Sequence, residues 1–172
     1  RKLRAAALKD PLTELPNRRY AMKRMLQSWE SCSRTGNTMA LVMMDIDFFK
    51  RVNDEWGHLI GSDTLRKLSQ LLSSCVRQVD TLARYGGDEF TILLVDTDHN
   101  AAVHVAERIR RIVEETVFEV GSEARLHLTV SIGVATCPDH ATTREPLLDA
   151  ADKAMYRAKS DGRNRVCSAH EL

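Results

Sequence analysis

The first strong pattern along the chain is a short apolar run that ends abruptly in acid. The run covers Met39–Met44 and is followed at once by Asp45 and Asp47. A short continuous apolar run of this kind is consistent with a buried strand. We therefore predict a buried strand that displays carboxylates at its end.

Three later segments repeat apolar residues at intervals of three and four, which is the spacing of an amphipathic helix. The first begins at Ser62, a suitable N-cap, and should end near Arg77. The second covers residues 100–116, and its other face is charged. The third begins at Thr143, another suitable N-cap, and should end near Gly162.

Two short strand-like runs form a predicted hairpin. Thr81–Tyr85 and Glu89–Val95 flank the dipeptide Gly86-Gly87. Paired glycines readily adopt the positive φ of a tight turn. Asp88 should therefore sit at the tip of this hairpin.

Residues 126–134 alternate between apolar and polar or small side chains. A period of two predicts a strand with one buried face. The predicted order is strand, helix, strand, strand, helix, strand, helix. This order suits a sheet covered by helices, and the hairpin requires an antiparallel pair, so we predict an α+β fold with a palm-like, mostly antiparallel sheet.

Composition narrows the classes of function. The 172 residues carry 25 basic and 24 acidic side chains, a formal net charge of +1. The chain has no overall field that would attract nucleic acid or an anionic membrane, and its longest apolar run is far shorter than the ~20 residues of a membrane span. The four cysteines are widely spaced and fit neither a zinc site nor a disulfide framework. We expect a cytoplasmic protein, which leaves open a membrane tether in the full-length form.

Candidate chemistry begins with two carboxylates. Asp45 ends one predicted strand and Asp88 follows the hairpin turn, so they can converge at one edge of the sheet. Their hard oxygen atoms suit Mg²⁺. Gly86 and Gly87 remove side chains beside them, so a bulky phosphate can approach the backbone. An ordinary hairpin turn would show the same Gly-Gly-acid pattern.

Five ordered motifs then resemble those of the GGDEF-domain diguanylate cyclases, over nearly the whole chain. The segment Arg84–Phe90 looks like the family signature, and the DIDFFKRVND string from Asp45, followed by Gly57-His58, is similar to its second motif. The other three are an opening wide turn at Asp10–Arg19, a late strand at Val130–Val134 and a closing helix at Ala151–Val166.

The resemblance implies a GGDEF-like fold and a two-metal reaction that joins two GTP molecules into cyclic di-GMP and two pyrophosphates. Carried over by motif, the metal ligands are Asp45, the Ile46 carbonyl, Asp88 and Glu89. They would hold two Mg²⁺ per site, with Mn²⁺ as an alternative. The catalytic residues would be Asp88, Glu89 and Lys50, with Glu89 assisting the metals or deprotonating the attacking hydroxyl.

The substrate contacts are implied in the same way. The phosphates would be met by Lys50, Lys159, Arg163 and the backbone N–H groups of Phe48 and Phe49. Guanine would bind Asn53, with His58 near the nucleotide. Lys159 and Arg163 equally suit a helix C-terminus. The side chains of Phe48, Phe49 and Trp56 are interpreted as core.

One position departs from the family pattern. After Gly61 the family usually has an aspartate for guanine, whereas this chain has Ser62 and then Asp63. Both are included among the candidate substrate-binding residues, as are Gly86 and Gly87. Guanine selectivity is therefore the least determined feature of the site.

The Arg77-x-x-Asp80 motif resembles the family's product-inhibition site, to which Arg108 is assigned as well. The alternative interpretation of this motif is a surface ion pair. Because each domain would hold one nucleotide, a product made from two GTP molecules implies a homodimer.

The resemblance also divides the chain. Residues 1–9 are helix-like and are expected to be the end of an upstream signalling helix or linker, and residues 10–172 to form the GGDEF catalytic domain. The chain starts without Met, so a sensory region is expected upstream. Two alternatives stay open, a catalytically silent module that binds GTP or cyclic di-GMP and a nucleotidyl cyclase or polymerase palm.

Overall fold

The structure, a computed structural model, describes residues 7–139 and 144–171. The strands in these residues are β1 (Met39–Ile46), β2 (Thr81–Arg84), β3 (Glu89–Val95), β4 (Val117–Val120), β5 (Ala124–His127), β6 (Val130–Cys137) and β7 (Arg165–Ser168). The helices are α1 (Arg18–Thr35), α2 (Phe49–Trp56), α3 (His58–Ser73), α4 (His99–Glu115) and α5 (Arg144–Ser160), followed by a 3₁₀ turn at Ala169–Glu171.

A five-stranded sheet in the order β2-β3-β1-β6-β7 forms the centre of the fold. β1 pairs antiparallel with both β3 and β6, and β2 pairs antiparallel with β3. β7 adds to the edge in parallel with β6, while β4 and β5 form a separate antiparallel pair. The predicted α+β fold with a mostly antiparallel sheet is confirmed.

Helices cover both faces of this sheet. Ala40, Val42 and Met44 face a core shared with α3 and α4. The intervening residues Leu41 and Met43 face a second core shared with α1 and α5. Because both faces of β1 are covered, its sequence is a continuous apolar run rather than an alternating one.

One glycine sets how closely α5 lies on the sheet. A Cβ at Gly133 in β6 would stand 2.2 Å from both the carbonyl oxygen of Ala151 and the backbone nitrogen of Met155. The helix backbone therefore rests directly on the strand. This contact fixes the height of α5, and so of Lys159 near its end, above the sheet.

The structure corrects several predicted boundaries. α3 begins at His58 and ends at Ser73, so Ser62 lies inside the helix and does not cap it. The reason is Gly57, whose φ of 87° turns the chain sharply between α2 and α3. Helix α2 was not predicted, because its eight residues form only about two turns, too few for a helical period to be recognised.

The late strand also differs from the prediction. Residues 126–134 do not form one half-buried strand but the end of β5 and the first part of β6, which is buried along its whole length. The reason is again cover on both faces, which removes the difference between alternating positions. β4 and β7 were missed because each spans only four residues.

The chain ends behave less simply than predicted. The cap expected at Thr143 lies outside the described residues, as do residues 1–6 of the predicted N-terminal helix. Residues 7 and 8 form a turn, and Lys9 forms a β-bridge with Pro16 rather than helix. Gly162 follows the end of α5 with φ of 123°, close to its predicted place. No helix in the described ranges has the length and apolar character that crossing a membrane requires.

Candidate active site

The ends of β1 and of the β2–β3 hairpin meet at one end of the sheet. Asp45 stands directly opposite Glu89 in the β1–β3 register. The backbone N–H of Ile46 donates to the carbonyl of Asp88 at 3.2 Å. The predicted convergence of the carboxylates at positions 45 and 88 is therefore observed, with Glu89 beside them.

Asp45 is the carboxylate with unused bonding capacity. It is only 6% exposed, and its Oδ2 accepts a hydrogen bond from Lys159 of α5. Its Oδ1 is buried and has no hydrogen-bond partner among the described residues. Its pKa is raised to about 6: burial raises it most, the charges of Asp88 and Glu89 add to the rise, and Lys159 opposes them.

This environment fits a cation. A buried carboxylate oxygen without a partner is costly unless a ligand completes it, and further carboxylates repel Asp45 from close by. No three His, Cys, Asp or Glu side chains in the described part of the chain form a ready-made metal cluster. A divalent ion would therefore need backbone or substrate oxygens in addition to Asp45 and the hairpin carboxylates.

The hairpin loop is built differently from the prediction. Neither Gly86 nor Gly87 has a positive φ, because the loop is closed by the N–H groups of Tyr85 and Gly86, which both donate to the carbonyl of Glu89. A Cβ at Gly86 would lie 3.0 Å from Glu89 Oε2, whereas one at Gly87 would meet nothing within 4 Å. The glycines leave room for the Glu89 side chain and for a neighbouring cleft.

Arg84 holds this loop, and sequence reasoning assigned it no role. Its guanidinium donates to the carbonyls of Gly86 and Gly87 at 2.8–3.2 Å, and to both oxygens of Asp10 at 3.2 Å. Burial alone would raise the pKa of Asp10, but hydrogen bonds from Thr13 and Arg84 outweigh burial and lower it. The signal available in the sequence was a single arginine two residues before the glycine pair.

A cleft of about 380 Å³ opens between α2, α3 and the hairpin loop. The predicted site residues on its walls are Lys50, Phe49, Asn53, His58, Ser62, Gly87 and Asp88. A Cβ at Gly61 would stand 1.9 Å from Asn53 Oδ1, so only glycine leaves Asn53 its place. The cleft thus gathers the predicted base contacts beside one of the metal-site carboxylates.

Ser62 and Asp63 separate at this cleft. Ser62 lines it, whereas the carboxylate of Asp63 is half-exposed and pairs with Arg66 one turn along α3. Neighbouring helical residues point about 100° apart. Asp63 is therefore not among the residues that line the cleft, contrary to its inclusion in the predicted site.

The cations around the site are held to different degrees. Lys50 is 89% exposed and lies 3.8 Å from Asp54 at the surface of α2. Lys159 contacts Asp45 directly. Arg163 follows α5 and places its guanidinium 4.5 Å from the ring centre of Phe48, with Arg51 at 4.1 Å from the same ring.

The two phenylalanines at the start of α2 have opposite surroundings. Phe49 is buried in the core, as interpreted, but Phe48 is 48% exposed. Phe48 precedes the helix with a left-handed φ of 55°, so its ring points away from the core. Trp56 is exposed as well, so the interpretation of both side chains as core is wrong.

The Arg77–Asp80 pair lies at the opposite end of β2 from the hairpin loop. Both Asp80 oxygens accept from the Arg77 guanidinium, at 2.9 and 3.0 Å, and these hydrogen bonds raise the pKa of Arg77. Arg77 also donates to the Val95 carbonyl and the Thr97 hydroxyl. Arg108 of α4 donates to the Cys75 carbonyl nearby, so the three predicted residues lie around one corner.

The site lies within a segment of the chain that matches a known protein family. Residues 7–165 match the model of the family described as "Diguanylate cyclase, GGDEF domain". The chain belongs to the GGDEF family of diguanylate cyclases. The family resemblance predicted from the sequence is confirmed.

Named relatives agree with this assignment. The GGDEF domain is 38% identical over 160 residues to diguanylate cyclase A of Treponema denticola, covering 91% of this chain and 43% of that protein. It is 40% identical over 161 residues to the response regulator PleD of Caulobacter vibrioides, covering 93% of this chain and 36% of that protein. The chain thus spans less than half the length of these relatives.

Solved structures share the fold. The GGDEF domain of YfiN from Pseudomonas aeruginosa superposes with a TM-score of 0.90 at 32% identity, with 94% of each chain covered. The coiled coil and GGDEF domain of DgcB from Caulobacter crescentus, solved in complex with cyclic di-GMP, gives a TM-score of 0.89 at 29% identity. That superposition covers 97% of this chain and 88% of the DgcB chain.

Proposed function

We propose that this GGDEF domain condenses two GTP molecules into cyclic di-GMP and two pyrophosphates. The observation that carries the proposal is the buried Asp45 oxygen without a partner, opposite Glu89 and next to a nucleotide-sized cleft, in a chain of this family. A purely structural carboxylate would have both oxygens satisfied.

The metal would be held by Asp45, the Ile46 carbonyl, Asp88 and Glu89. These groups supply only hard oxygen atoms, which suit Mg²⁺ and, as an alternative, Mn²⁺. When bound, two ions would polarise the α-phosphate and the attacking hydroxyl and offset the charge that develops. The raised pKa of Asp45, which is caused first by burial and then by the charges of Asp88 and Glu89, supports this, since a bound cation would favour the ionised carboxylate.

The reaction itself is a displacement at the α-phosphorus of GTP. Glu89 accepts the proton of the 3′-hydroxyl of one GTP, whose oxygen bonds to the α-phosphorus of the other. The bond from that phosphorus to the bridging oxygen breaks, and pyrophosphate leaves. Repeating the step with the roles exchanged closes the ring.

Five donors at the rim of the site would bind the phosphates. They are Lys50, Lys159, Arg163 and the N–H groups of Phe48 and Phe49, which sit at the start of α2. Positive charges fixed where negative charge develops lower the barrier. Lys159 would exchange its contact with Asp45 for a phosphate oxygen once a metal takes over the carboxylate.

Guanine would lie in the 380 Å³ cleft. Asn53 offers one donor and one acceptor to the base, Ser62 adds a single hydroxyl, and His58 lies at the cleft wall. Because one cleft holds one nucleotide, two copies of the domain must face each other, which makes a homodimer part of the proposal.

The Arg77–Asp80 corner, with Arg108, is proposed as a site for product inhibition. Arg77 is hydrogen-bonded to Asp80 yet remains 56% exposed, so part of its guanidinium can still contact a phosphate.

A cytoplasmic location, with its reducing conditions, also belongs to the proposal. It is supported by the four cysteines, which form no disulfide bonds among the described residues.

The test is to incubate the purified chain with GTP and Mg²⁺ and resolve the nucleotides by ion-exchange chromatography. We expect cyclic di-GMP and pyrophosphate in a ratio of one to two. Asp88→Ala should abolish the product and keep the fold, as judged by circular dichroism, while Asp149→Ala, an exposed carboxylate change on α5, should not. GTP that binds but is not converted would instead indicate a silent binding module, and a different cyclic or polymeric product would indicate another nucleotidyl transferase.

A further inference from the structure

Asp47 is buried two residues beyond Asp45 but turns into the protein rather than toward the cleft. Only 5% of it is exposed. Its Oδ1 accepts from the Ser131 hydroxyl at 2.6 Å, and its Oδ2 accepts from the Thr129 hydroxyl at 2.7 Å and from the backbone N–H of Asn164 at 3.0 Å. This single side chain therefore joins the end of β1, the start of β6 and the turn after α5.

The turn that it holds has an unfavourable backbone. Arg163 and Asn164 are consecutive residues with left-handed φ values of 66° and 45°. This conformation is unfavourable for any residue other than glycine, and more so for Arg than for Asn. The conformation therefore needs bonds that compensate for its cost.

Those bonds come from three sides. The Arg163 N–H donates to the carbonyl of Ala158 in α5 at 2.9 Å. The Asn164 side chain accepts from Arg110 at 3.0 Å and donates to Glu114 at 2.7 Å, which anchors it to α4. The Asn164 backbone N–H has its acceptor in Asp47. Asp47 is thus the contact that ties this turn to the strand that carries Asp45.

The fixed turn determines where Arg163 points. The guanidinium lies over the exposed ring of Phe48, which it shares with Arg51. Two like charges near one ring repel each other, and a cation–π contact at an exposed site is weak. The ring alone would hold Arg163 weakly, so its position depends on the backbone behind it.

We propose that Asp47 is a positioning residue that fixes the Arg163–Asn164 turn and so holds the Arg163 guanidinium at the phosphate side of the nucleotide site. This inference rests on the proposed function, since it takes Arg163 to bind GTP phosphates. Asp47 itself touches neither substrate nor metal.

The role predicts which replacement is tolerated. In Asp47→Asn the amide oxygen can still accept from Asn164 and Thr129, and its NH₂ can face Ser131, whose hydroxyl can rotate and accept. Asp47→Ala removes the acceptor of the partly buried Asn164 N–H, which favours a change in the conformation of the turn. A metal ligand or proton acceptor would tolerate neither replacement, because Asn cannot take over the role of a carboxylate there.

The test measures binding of α,β-methylene-GTP, whose α–β bridge cannot be cleaved, by calorimetry with Mg²⁺ present. We expect Asp47→Ala and Arg163→Ala each to weaken binding about tenfold, or ~1.4 kcal/mol. The double variant should stay within about twofold of Arg163→Ala, because both changes remove the same contact. Asp47→Asn should bind within about threefold of the unaltered chain.

Two further variants guard against loss of folding. Met25→Ala shortens a buried side chain of α1 on the other face of the sheet and should lower stability without changing affinity. Thr129→Val removes one anchor of Asp47 but keeps the carboxylate, and should weaken binding about threefold even if Asp47→Ala does not fold.

Additive losses in the double variant, unchanged binding in Asp47→Ala or in Thr129→Val, or an Asp47→Asn as weak as the alanine variant would overturn the inference. An unaltered chain that does not bind the analogue would instead count against the proposed function.

Discussion

Asp45 and Asp47 lie two residues apart and are both nearly buried, yet the carboxylate oxygens of the two residues are hydrogen-bonded to different extents. Around Asp47, three donors from β6 and the turn after α5 fill both oxygens. Around Asp45, one oxygen meets Lys159 and the other meets nothing among the described residues, while two more carboxylates raise its pKa. Burial alone therefore does not mark a functional acid, whereas a buried carboxylate oxygen without a hydrogen-bond partner does.

Asp80 supports the same distinction at the far end of β2. Its side chain is almost fully buried and accepts from the Arg77 guanidinium and from the backbone N–H groups of Arg77 and Val95. Asp80 therefore resembles Asp47 as a part of the framework, and Arg77 is the member of that pair that remains open to a ligand.

The largest expected effect separates the two regions by activity. Asp45→Asn keeps the size of the side chain but removes the charge that a divalent ion needs, so cyclase turnover should fall by at least roughly 10³-fold, or ~4 kcal/mol. Asp47→Asn should keep turnover within about tenfold. Initial rates of cyclic di-GMP formation at saturating GTP and Mg²⁺ measure both, and equal losses in the two variants would erase the distinction.

The next effect is on stability, with opposite signs in the two regions. The pKa of Asp45 rises from 3.8 to about 6 on folding, so the folded state binds the proton more tightly and its stability falls as pH rises from about 4 to about 6. Without divalent ions at pH 7.5, Asp45→Asn should therefore raise the free energy of unfolding by about 1–3 kcal/mol. Asp47→Ala should lower it by about 2–4 kcal/mol because it leaves buried donors unpaired.

Urea unfolding with a chelator present checks both signs. The gain of Asp45→Asn should disappear near pH 4, where the aspartate of the unaltered chain is protonated when folded. A loss of stability in both variants at pH 7.5 would mean that Asp45 is as well satisfied as Asp47.

A smaller effect is expected at the Arg77–Asp80 corner. Arg77→Ala should relieve inhibition by added cyclic di-GMP, raising the half-inhibitory concentration about tenfold or ~1.4 kcal/mol, because it removes one exposed guanidinium. The initial rate without product should not fall, since this corner lies a strand length from the hairpin loop. An unchanged inhibition curve, measured against Arg66→Ala as a matched surface control, would leave only an ion pair of the framework.

The smallest effect concerns the base cleft. Ser62→Asp introduces a carboxylate with unfilled oxygens, which can accept from guanine N1–H and N2–H₂ together, whereas serine can accept from only one of these groups. The Michaelis constant for GTP should fall by up to about tenfold, and competition by ATP should weaken. The matched control is Asp63→Ala; if that variant, and not Ser62→Asp, changes GTP selectivity, the base contact belongs to Asp63 despite its pairing with Arg66.

Much of the fold was predictable because local patterns agreed with tertiary structure. The apolar run of β1, the hairpin around residues 86–87 and the period of α4 all correspond to observed elements, with α4 placed within one residue at each end. Prediction failed where cover on both faces erased alternation, as in β6, or where a glycine turn moved a helix start, as at Gly57. Strands of four residues, such as β7, carry too little pattern to recognise.

The motifs in the sequence predicted candidate site residues but not how those residues are arranged. Motif positions gave Asp45, Asp88 and the cleft residue Asn53, and adjacency in sequence suggested that Asp63 could face the base. Only the structure showed that Asp63 pairs with Arg66, that Arg84 ties the hairpin loop to Asp10, and that Asp47 is fully bonded. The last two facts depend on partners that are distant in sequence, which spacing along the chain does not encode, whereas the Asp63–Arg66 pair is a local contact three residues apart.

The bare contact at Gly133 has a consequence for how tolerant this domain is to change. Because the backbones of β6 and α5 are in contact at Gly133, there is no room for a larger side chain, and even a methyl group would push α5 away from the sheet. Lys159 lies beyond this contact, near the end of α5. A tilt of the helix about Gly133 would therefore displace Lys159 more than the residues at the contact. The sixth strand must therefore keep glycine, whose side chain is a single hydrogen, at this one position.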